Sequence, residues 1–303
     1  MQSAQISTFY ICFSDWEHAL HMMQHHAIIY KNYCFSLYDS GGGLHLNASG
    51  QNTQSVQRAL MILNTFTEHC PTQRVSDIAR KLHLTPSTVS RHLSTLLDAG
   101  LVERDPESSC YRLGIQILTL SGVLLHSNAL YRNAYPKLQK LSSRTGLHCF
   151  LGIPYHEEVI HLASVGEENT GELFTPVGYR HPLFCSAMGK AIIAYMEERE
   201  RDAILAKSNL VKYTPYTVTD LVKLKKSFED IRLRGYAPII EELTIGKSSL
   251  AAPIFDHKRQ PIGAISVSGS VDRVNLRENE RKLAKIVMDT AGEISGKMGY
   301  FPR

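Results

Sequence analysis

The sequence predicts two domains of different fold class: a small α-helical domain that ends in a β-hairpin, and a larger α+β domain with an antiparallel sheet. The chain has 303 residues, which suits about two domains of ~150 residues each. Between residues 55 and 125, apolar residues recur at helical spacing except in two strand-like runs at 101–104 and 110–113. From residue 148 onwards, short apolar runs bounded by polar turns alternate with helical stretches, and this mixed pattern is typical of an α+β domain.

Composition excludes several classes of protein. No apolar run approaches the ~20 residues of a membrane-spanning helix, so we expect no membrane association. The six cysteines include no C-x-x-C pair, which argues against a zinc ribbon or a disulfide framework and favours the cytoplasm. The formal charge of +4 is too small for binding polyanions by charge alone. Any nucleic-acid binding must therefore be local.

Residues 1–51 differ from the rest of the chain. They are crowded with His, Tyr, Phe and Met, and their only charged residues are Asp15, Glu17, Lys31 and Asp39. Polar residues interrupt the stretch 16–30, so the segment does not have the unbroken apolar core of a signal peptide. We expect a disordered extension or a mis-assigned start, with Met22 or Met23 as the alternative first residue.

Three histidines in this segment, His18, His21 and His25, would share one face of a helix if a helix formed there. That spacing could hold a metal ion. Since no cysteine or carboxylate completes the set, we predict no metal site.

Residues 52–113 have the pattern of a compact DNA-reading domain. Helical periodicity covers residues 55–66, and a second, short helix is expected to start at Ser76 as its N-cap. Thr85 and Pro86 then provide the N-cap and first position of a third helix, which Gly100 ends. Strand-like runs at 101–104 and 110–113 flank a polar turn. Three helices followed by such a wing are the parts of a winged helix-turn-helix.

The third helix carries a face suited to the DNA major groove. Val89, Leu93, Leu96 and Leu97 cluster on one side at 100° per residue. The outward side is small, hydroxylated and cationic, with His92 on its flank, and such a helix can approach base edges and phosphates closely. An ordinary solvated helix face is the alternative. The predicted DNA-contacting residues are Pro86, Ser87, Thr88, Ser90, Arg91, His92, Ser94 and Thr95.

These motifs resemble the IclR family of bacterial transcription regulators. The similarity is carried by residues 55–60, 85–93, 101–104 and 111–114, and then by 176–178, 182–183, 186–191, 234–236, 241–242, 246, 250–256 and 265–269. The resemblance spans about residues 52–300. It implies a winged helix-turn-helix domain at 52–113, a linker helix at 114–128 and a GAF-like effector-binding domain at 129–303.

The second domain is expected to bind a small molecule. Strands are predicted at 148–153, 159–165, 248–255 and 261–268, and helices at 130–143, 187–206, 221–233 and 276–298. Ala264, Ser266 and Ser268 alternate onto one face of the last strand, where they could pack under a helix or line a pocket.

The family resemblance favours a pocket at this strand. By that resemblance, the effector-binding residues are Ala187, Met188, Gly189, Ile239, Ser249, Ser266 and Ser268. Ile239 and Ser249 stand where an acidic residue and a cysteine are common in the family's small-acid sensors. The resemblance therefore suggests a carboxylate or sugar acid, but leaves a larger, less polar compound open.

The sequence thus predicts a ligand-responsive repressor of a catabolic operon that binds a palindromic operator in double-stranded DNA as a homodimer or homotetramer. The alternative is an enzyme or a protein-interaction module that uses the C-terminal domain. No G-x-S-x-G, H-E-x-x-H or P-loop motif is present, and a buried small residue is the simpler interpretation of Cys185. The histidines at 148, 156, 161 and 181 look scattered. We predict no catalytic residue, cofactor or metal.

Overall fold

The structure, a computed structural model, describes residues 53–68, 70–166, 175–274 and 276–301. The expected N-terminal extension and its three histidines lie outside these residues. Two compact units divide the chain between Gly114 and Ile115. Within the described ranges no helix is long and apolar enough to cross a membrane.

The first unit is a winged helix-turn-helix, as predicted. Its core is formed by Ile62, Ile78, Val89 and Leu93, which are fully buried. The elements are α1 Gln54–Leu63, β1 Thr72–Gln73, α2 Val75–Leu82, α3 Pro86–Asp98, β2 Val102–Arg104 and β3 Tyr111–Leu113, with the strands in the order β1-β3-β2. The sequence missed β1, because two residues are too short to show a periodicity.

The ends of α3 follow the predicted signals. The Thr85 hydroxyl accepts the amide of Thr88 at 3.3 Å, and Pro86 occupies the first turn. Gly100 follows the helix in the left-handed region at φ 68°. The predicted N-cap of α2 is wrong: the helix begins at Val75, with Arg74 as an extended N-cap that makes no side-chain cap hydrogen bond.

The second unit is α+β with a six-stranded antiparallel sheet in the order β6-β5-β4-β9-β8-β7. Its elements are α4 Gln116–Ser127, α5 Ala129–Thr145, β4 His148–Tyr155, β5 Glu158–Val165, β6 Arg180–Pro182, α6 Ala187–Ile193, α7 Glu198–Lys207, α8 Leu221–Arg234, β7 Ala237–Ile240, β8 Lys247–Phe255, β9 Pro261–Ser270, α9 Val271–Val274 and α10 Leu276–Lys297. The single helix predicted at 187–206 is two helices, α6 and α7.

The sheet separates two hydrophobic cores. On one face, Ile265 and Val267 of β9 join residues of α5 and α10. On the other face, Ala264 joins the core that contains α6 and α8. This division follows from the alternation of side chains along a strand, and it leaves Ser266 and Ser268 on the face that α6 covers.

Candidate functional site

The outward face of α3 is built as the sequence predicted. Pro86, Ser87, Ser90, Arg91, Ser94 and Thr95 are exposed, and Thr88 is half-buried. The Thr88 hydroxyl already bonds that of Thr85 at 2.8 Å, and the Thr95 hydroxyl donates to the Arg91 carbonyl at 3.3 Å. Ser90, Ser94 and the Arg91 guanidinium therefore remain as the groups of this face best able to reach a base edge.

His92 does not lie where the sequence placed it. Only 7% of the residue is exposed, and its Nε2 atom is buried without a hydrogen-bond partner. Burial lowers the pKa of His92, and the positive charges of Arg91 and Arg58 lower it further. A buried, neutral imidazole cannot reach DNA, so we remove His92 from the contact set.

Two guanidinium groups from different helices each lower the pKa of His92 through their positive charge. Arg91 belongs to α3 and Arg58 to α1. No ion pair engages either of them within the described residues, whereas Arg80 pairs with Asp77 at 3.4 Å. Sequence reasoning missed Arg58 because only the packing of α1 against α3 brings it to this surface.

The tip of the wing is anionic. Asp105 accepts hydrogen bonds from the Ser108 hydroxyl at 2.8 Å and from the Glu107 amide at 2.9 Å, and these bonds lower the pKa of its carboxyl group. Glu107 adds a second carboxylate to the same turn. Like charges repel, so the tip of the wing disfavours contact with a phosphate.

Three of the predicted effector residues meet on adjacent strands. Ile239 of β7 pairs with Ser249 of β8, and Ser249 pairs with Ser268 of β9. The Ser249 and Ser268 hydroxyls are 2.8 Å apart. Ser266 lies two residues before Ser268 on the same strand face and is buried opposite Phe150 of β4. These four residues form one continuous patch.

The start of α6 lies against the rest of this face, but its amides are not all available. Gly189 donates its amide to the Ser186 hydroxyl at 3.1 Å, and a Cβ at Gly189 would stand only 2.4 Å from the Leu183 carbonyl oxygen. This glycine therefore permits close packing. Ala187 is buried as well, and the Met188 sulfur lies 3.0 Å from the point where a Cβ on Gly152 would stand.

The structure also gathers rings that the sequence left scattered. His148, Phe150, His161, Tyr179 and His181 form a cluster across β4, β5 and the segment that ends in β6. The ring centroids of His161 and Phe150, and of His161 and His181, are each 4.9 Å apart. Because 20 residues separate His161 from His181, only strand pairing reveals the cluster.

Cys185 is a poor nucleophile in this structure. Burial raises the pKa of the Cys185 thiol far above its usual value, so the thiol stays protonated and unreactive. The neighbouring Lys190 is 3% exposed and pairs with Glu242 at 2.6 Å. Among the residues that the structure describes, no group of three metal-ligating side chains is arranged to hold an ion.

Each of the two units matches a domain model of the same protein family. The model of the IclR helix-turn-helix domain matches residues 55–106, and that of the bacterial transcriptional regulator IclR C-terminal domain matches residues 123–296. The HTH-type transcriptional regulator XynR of Escherichia coli is 31% identical, over 74% of this chain and 89% of XynR.

Two further proteins are similar over nearly their whole length. The HTH-type transcriptional repressor AllR of Salmonella paratyphi A is 28% identical, over 83% of this chain and 92% of AllR. The crystal structure of the Thermotoga maritima IclR has a TM-score of 0.68 at 28% identity and covers 82% of this chain and 100% of its own. XynR, AllR and the matching C-terminal family model are all described as regulators of transcription.

Gly189 provides a test of the packing at α6. Gly189→Ala should destabilise the protein by about 1–3 kcal/mol, because the new methyl group would meet backbone atoms of Leu183 that cannot rotate away. Gly292→Ala in α10, where an added Cβ would meet nothing within 4 Å beyond the adjacent backbone of its own helix, should stabilise it by about 0.5–1 kcal/mol through helix propensity. Urea unfolding measures both, and equal midpoints for the two variants would contradict the packing described.

Proposed function

Since the chain belongs to the IclR family of bacterial transcriptional regulators, we propose that it is a ligand-responsive repressor that binds a palindromic operator. The observation that carries this proposal is the outward face of α3, which is small, hydroxylated and cationic while its opposite side is buried in the core. A metabolite bound in the C-terminal unit changes operator occupancy. The protein acts on DNA in the cytoplasm.

Arg91 and Arg58 have different roles in operator binding. The Arg91 guanidinium stands at the middle of the exposed helix face, where its fork can pair with the O6 and N7 atoms of guanine. Arg58 lies on α1, beside that helix, and contacts the phosphate backbone. Pro86, Ser87, Thr88, Ser90, Ser94 and Thr95 complete the proposed contact surface.

Charge argues that one DNA-reading unit is not enough. Residues 52–113 contain seven Lys and Arg residues against six Asp and Glu residues, a difference of one. So small an excess gives weak binding to a single half-site. Two units on a palindrome double the contacts, so the operator is bound by a dimer or a tetramer.

The helix α4 provides the surface for pairing two copies. No residue of this helix is buried, although most of its side chains are apolar. An exposed apolar surface of this size on one helix is typical of an interaction site, and a second copy of the chain covers it. The large apolar side chains of this surface, 53–68% exposed, are Ile115, Leu118, Leu120, Val123 and Leu124.

The effector is a carboxylate or a sugar acid, held on the sheet face between α6 and the patch of Ile239, Ser249, Ser266 and Ser268. Repression is supported by the similarity to AllR, a protein named as a repressor. A coupling free energy of about 1–3 kcal/mol between effector and operator would change operator occupancy by roughly 5- to 150-fold.

Selection of bound sites from random duplex DNA at near-physiological salt tests the proposal. Recovery of a palindromic motif is expected, with the two half-sites about one helical turn or a multiple of it apart. Near-physiological salt suppresses the nonspecific background. If repeated rounds enrich no motif, the chain is not an operator-binding protein.

Two arginine variants should affect binding in distinguishable ways. Arg91→Ala should cost about 1–3 kcal/mol on the selected operator and relax its sequence preference at one position in each half-site. Arg58→Gln should weaken binding to all sequences and lower the slope of log K against log salt by about 0.9 for each copy bound. Fluorescence anisotropy titrations over a range of salt measure both effects.

Arg80→Gln is the matched control for these variants, because Arg80 is exposed but paired with Asp77. It should change neither the sequence preference nor the salt slope appreciably. A salt slope that stays unchanged in Arg58→Gln would remove Arg58 from the contact surface.

The surface of α4 can be tested separately. Val123→Glu should shift the protein towards monomer, because it places a charge at the centre of an apolar interface. Operator affinity should fall with it. Leu233→Glu on α8 is the control, since Leu233 is 87% exposed but lies on another helix. Analytical ultracentrifugation gives the oligomeric state, and a variant at Val123 that remains fully oligomeric would exclude this helix as the interface.

A further inference from the structure

Two imidazole rings in the effector unit lie in contact with each other and with two further rings. His161 and His181 have ring centroids 4.9 Å apart, and we call them the imidazole pair. Phe150 contacts His161 at 4.9 Å and Tyr179 contacts His181 at 4.8 Å, both between centroids. The pair is thus held by rings on two sides.

Three of the four ring nitrogens of the imidazole pair are buried without a hydrogen-bond partner in the described part of the chain. Only 2% of His161 is exposed, and neither of its ring nitrogens has a hydrogen-bond partner. The Nδ1 atom of His181 is also buried without a partner. Each unmet buried group of this kind costs about 1–3 kcal/mol, so the arrangement calls for a polar group that bonds to it.

The imidazole pair lies on the face of the sheet that carries the proposed effector patch. His161 of β5 is paired in register with Gly152 of β4, and Met188 lies over Gly152. The ring of Phe150, which contacts His161, belongs to the residue paired with Ser266. A ligand held against Ser266 and Met188 therefore comes within reach of the imidazole pair.

The permanent cations around this face are already neutralised. Arg180 pairs with Glu158 at 3.2 Å, and Lys190 pairs with Glu242 at 2.6 Å. A buried anion needs a compensating charge, and a histidine can supply it by taking up a proton. The other titratable groups near the pair are His148, Tyr179, Tyr213 and Cys185.

We propose that His161 and His181 bind the acidic group of the effector, and that one proton is taken up from solvent when the acid binds. This inference rests on the proposed function, since it assigns the effector site its ligand class. The balance is simple: a carboxylate, a neutral imidazole and a proton from solvent give a carboxylate hydrogen-bonded to an imidazolium. No covalent bond other than N–H forms or breaks.

The sign of the pH dependence follows from the state of the ligand-free protein. Burial lowers the pKa of His181 to about 4 and lowers the pKa of His161 well below its usual value, with a charged His181 lowering the latter further. Both rings are therefore neutral between pH 6 and 8. A bound carboxylate raises the pKa of His161, because both ring nitrogens of this residue are unpartnered. The acid therefore binds more tightly as pH falls, by about tenfold per pH unit.

The experiment uses three acids of different shape, pyruvate, D-gluconate and benzoate, titrated calorimetrically into the full-length protein at pH 6 and pH 8. At least one acid should bind, with an affinity about a hundredfold higher at pH 6 for the uptake of one proton. His161→Gln should abolish that difference, because glutamine cannot be protonated. His257→Gln, at an exposed turn residue between β8 and β9, should leave it unchanged.

Three results would overturn the assignment: none of the acids binds, the affinity is the same at both pH values, or the pH dependence survives in His161→Gln. If His161→Gln does not fold, NMR of the unmodified protein tests the proposal instead, through the ¹⁵N signals of the histidine side chains. They should show one neutral imidazole becoming an imidazolium when the acid is added at pH 7, and no such change would overturn the proposal. Operator binding is measured without acid. The proposed repressor function and the proposed histidine site can therefore fail independently.

Discussion

The alternation of side chains along β9 is the constraint on which the effector unit depends. Ile265 and Val267 must face the core shared with α5 and α10, so Ser266 and Ser268 must face α6. A shift of one residue in register would bury the hydroxyls among aliphatic side chains and expose the aliphatic ones to the other layer. The side chains that face the core on one side of the sheet thus determine which side chains form the proposed effector patch on the other side.

In the DNA-reading unit, too, the burial of one side of an element determines which residues the other side exposes, here at the spacing of a helix. Val89, Leu93 and Leu96 fix the rotation of α3 by burial, and the Thr85 cap fixes where the helix starts. The outward orientation of Arg91 is then determined. Because the wing tip is anionic and the unit is nearly neutral, the proposed operator binding would depend on a few cations and on pairing with a second copy.

Local patterns predicted the elements that depend on local physics. Helix α3, its Thr85 and Pro86 start, and the strands β4, β5, β8 and β9 follow from periodicity and capping, and all are present. The break between α6 and α7, the short strand β1 and the burial of His92 depend on tertiary packing, and the sequence missed them. The contact between His161 and His181 is of the same kind, because it requires β5 and β6 to be paired in register.

The layer over the effector patch is held together by one buried ion pair. Lys190 of α6 bonds both carboxylate oxygens of Glu242, at 2.6 and 2.8 Å, and the Thr217 hydroxyl donates to the Glu242 carbonyl at 2.5 Å. Removing one partner of such a pair costs about 3–5 kcal/mol, more than the coupling between two sites usually requires. The ion pair therefore couples α6 to the segments around Thr217 and Glu242. In the proposed effector response, a ligand that displaces Met188 would shift α6 together with these segments, and so would act beyond the residues that it touches.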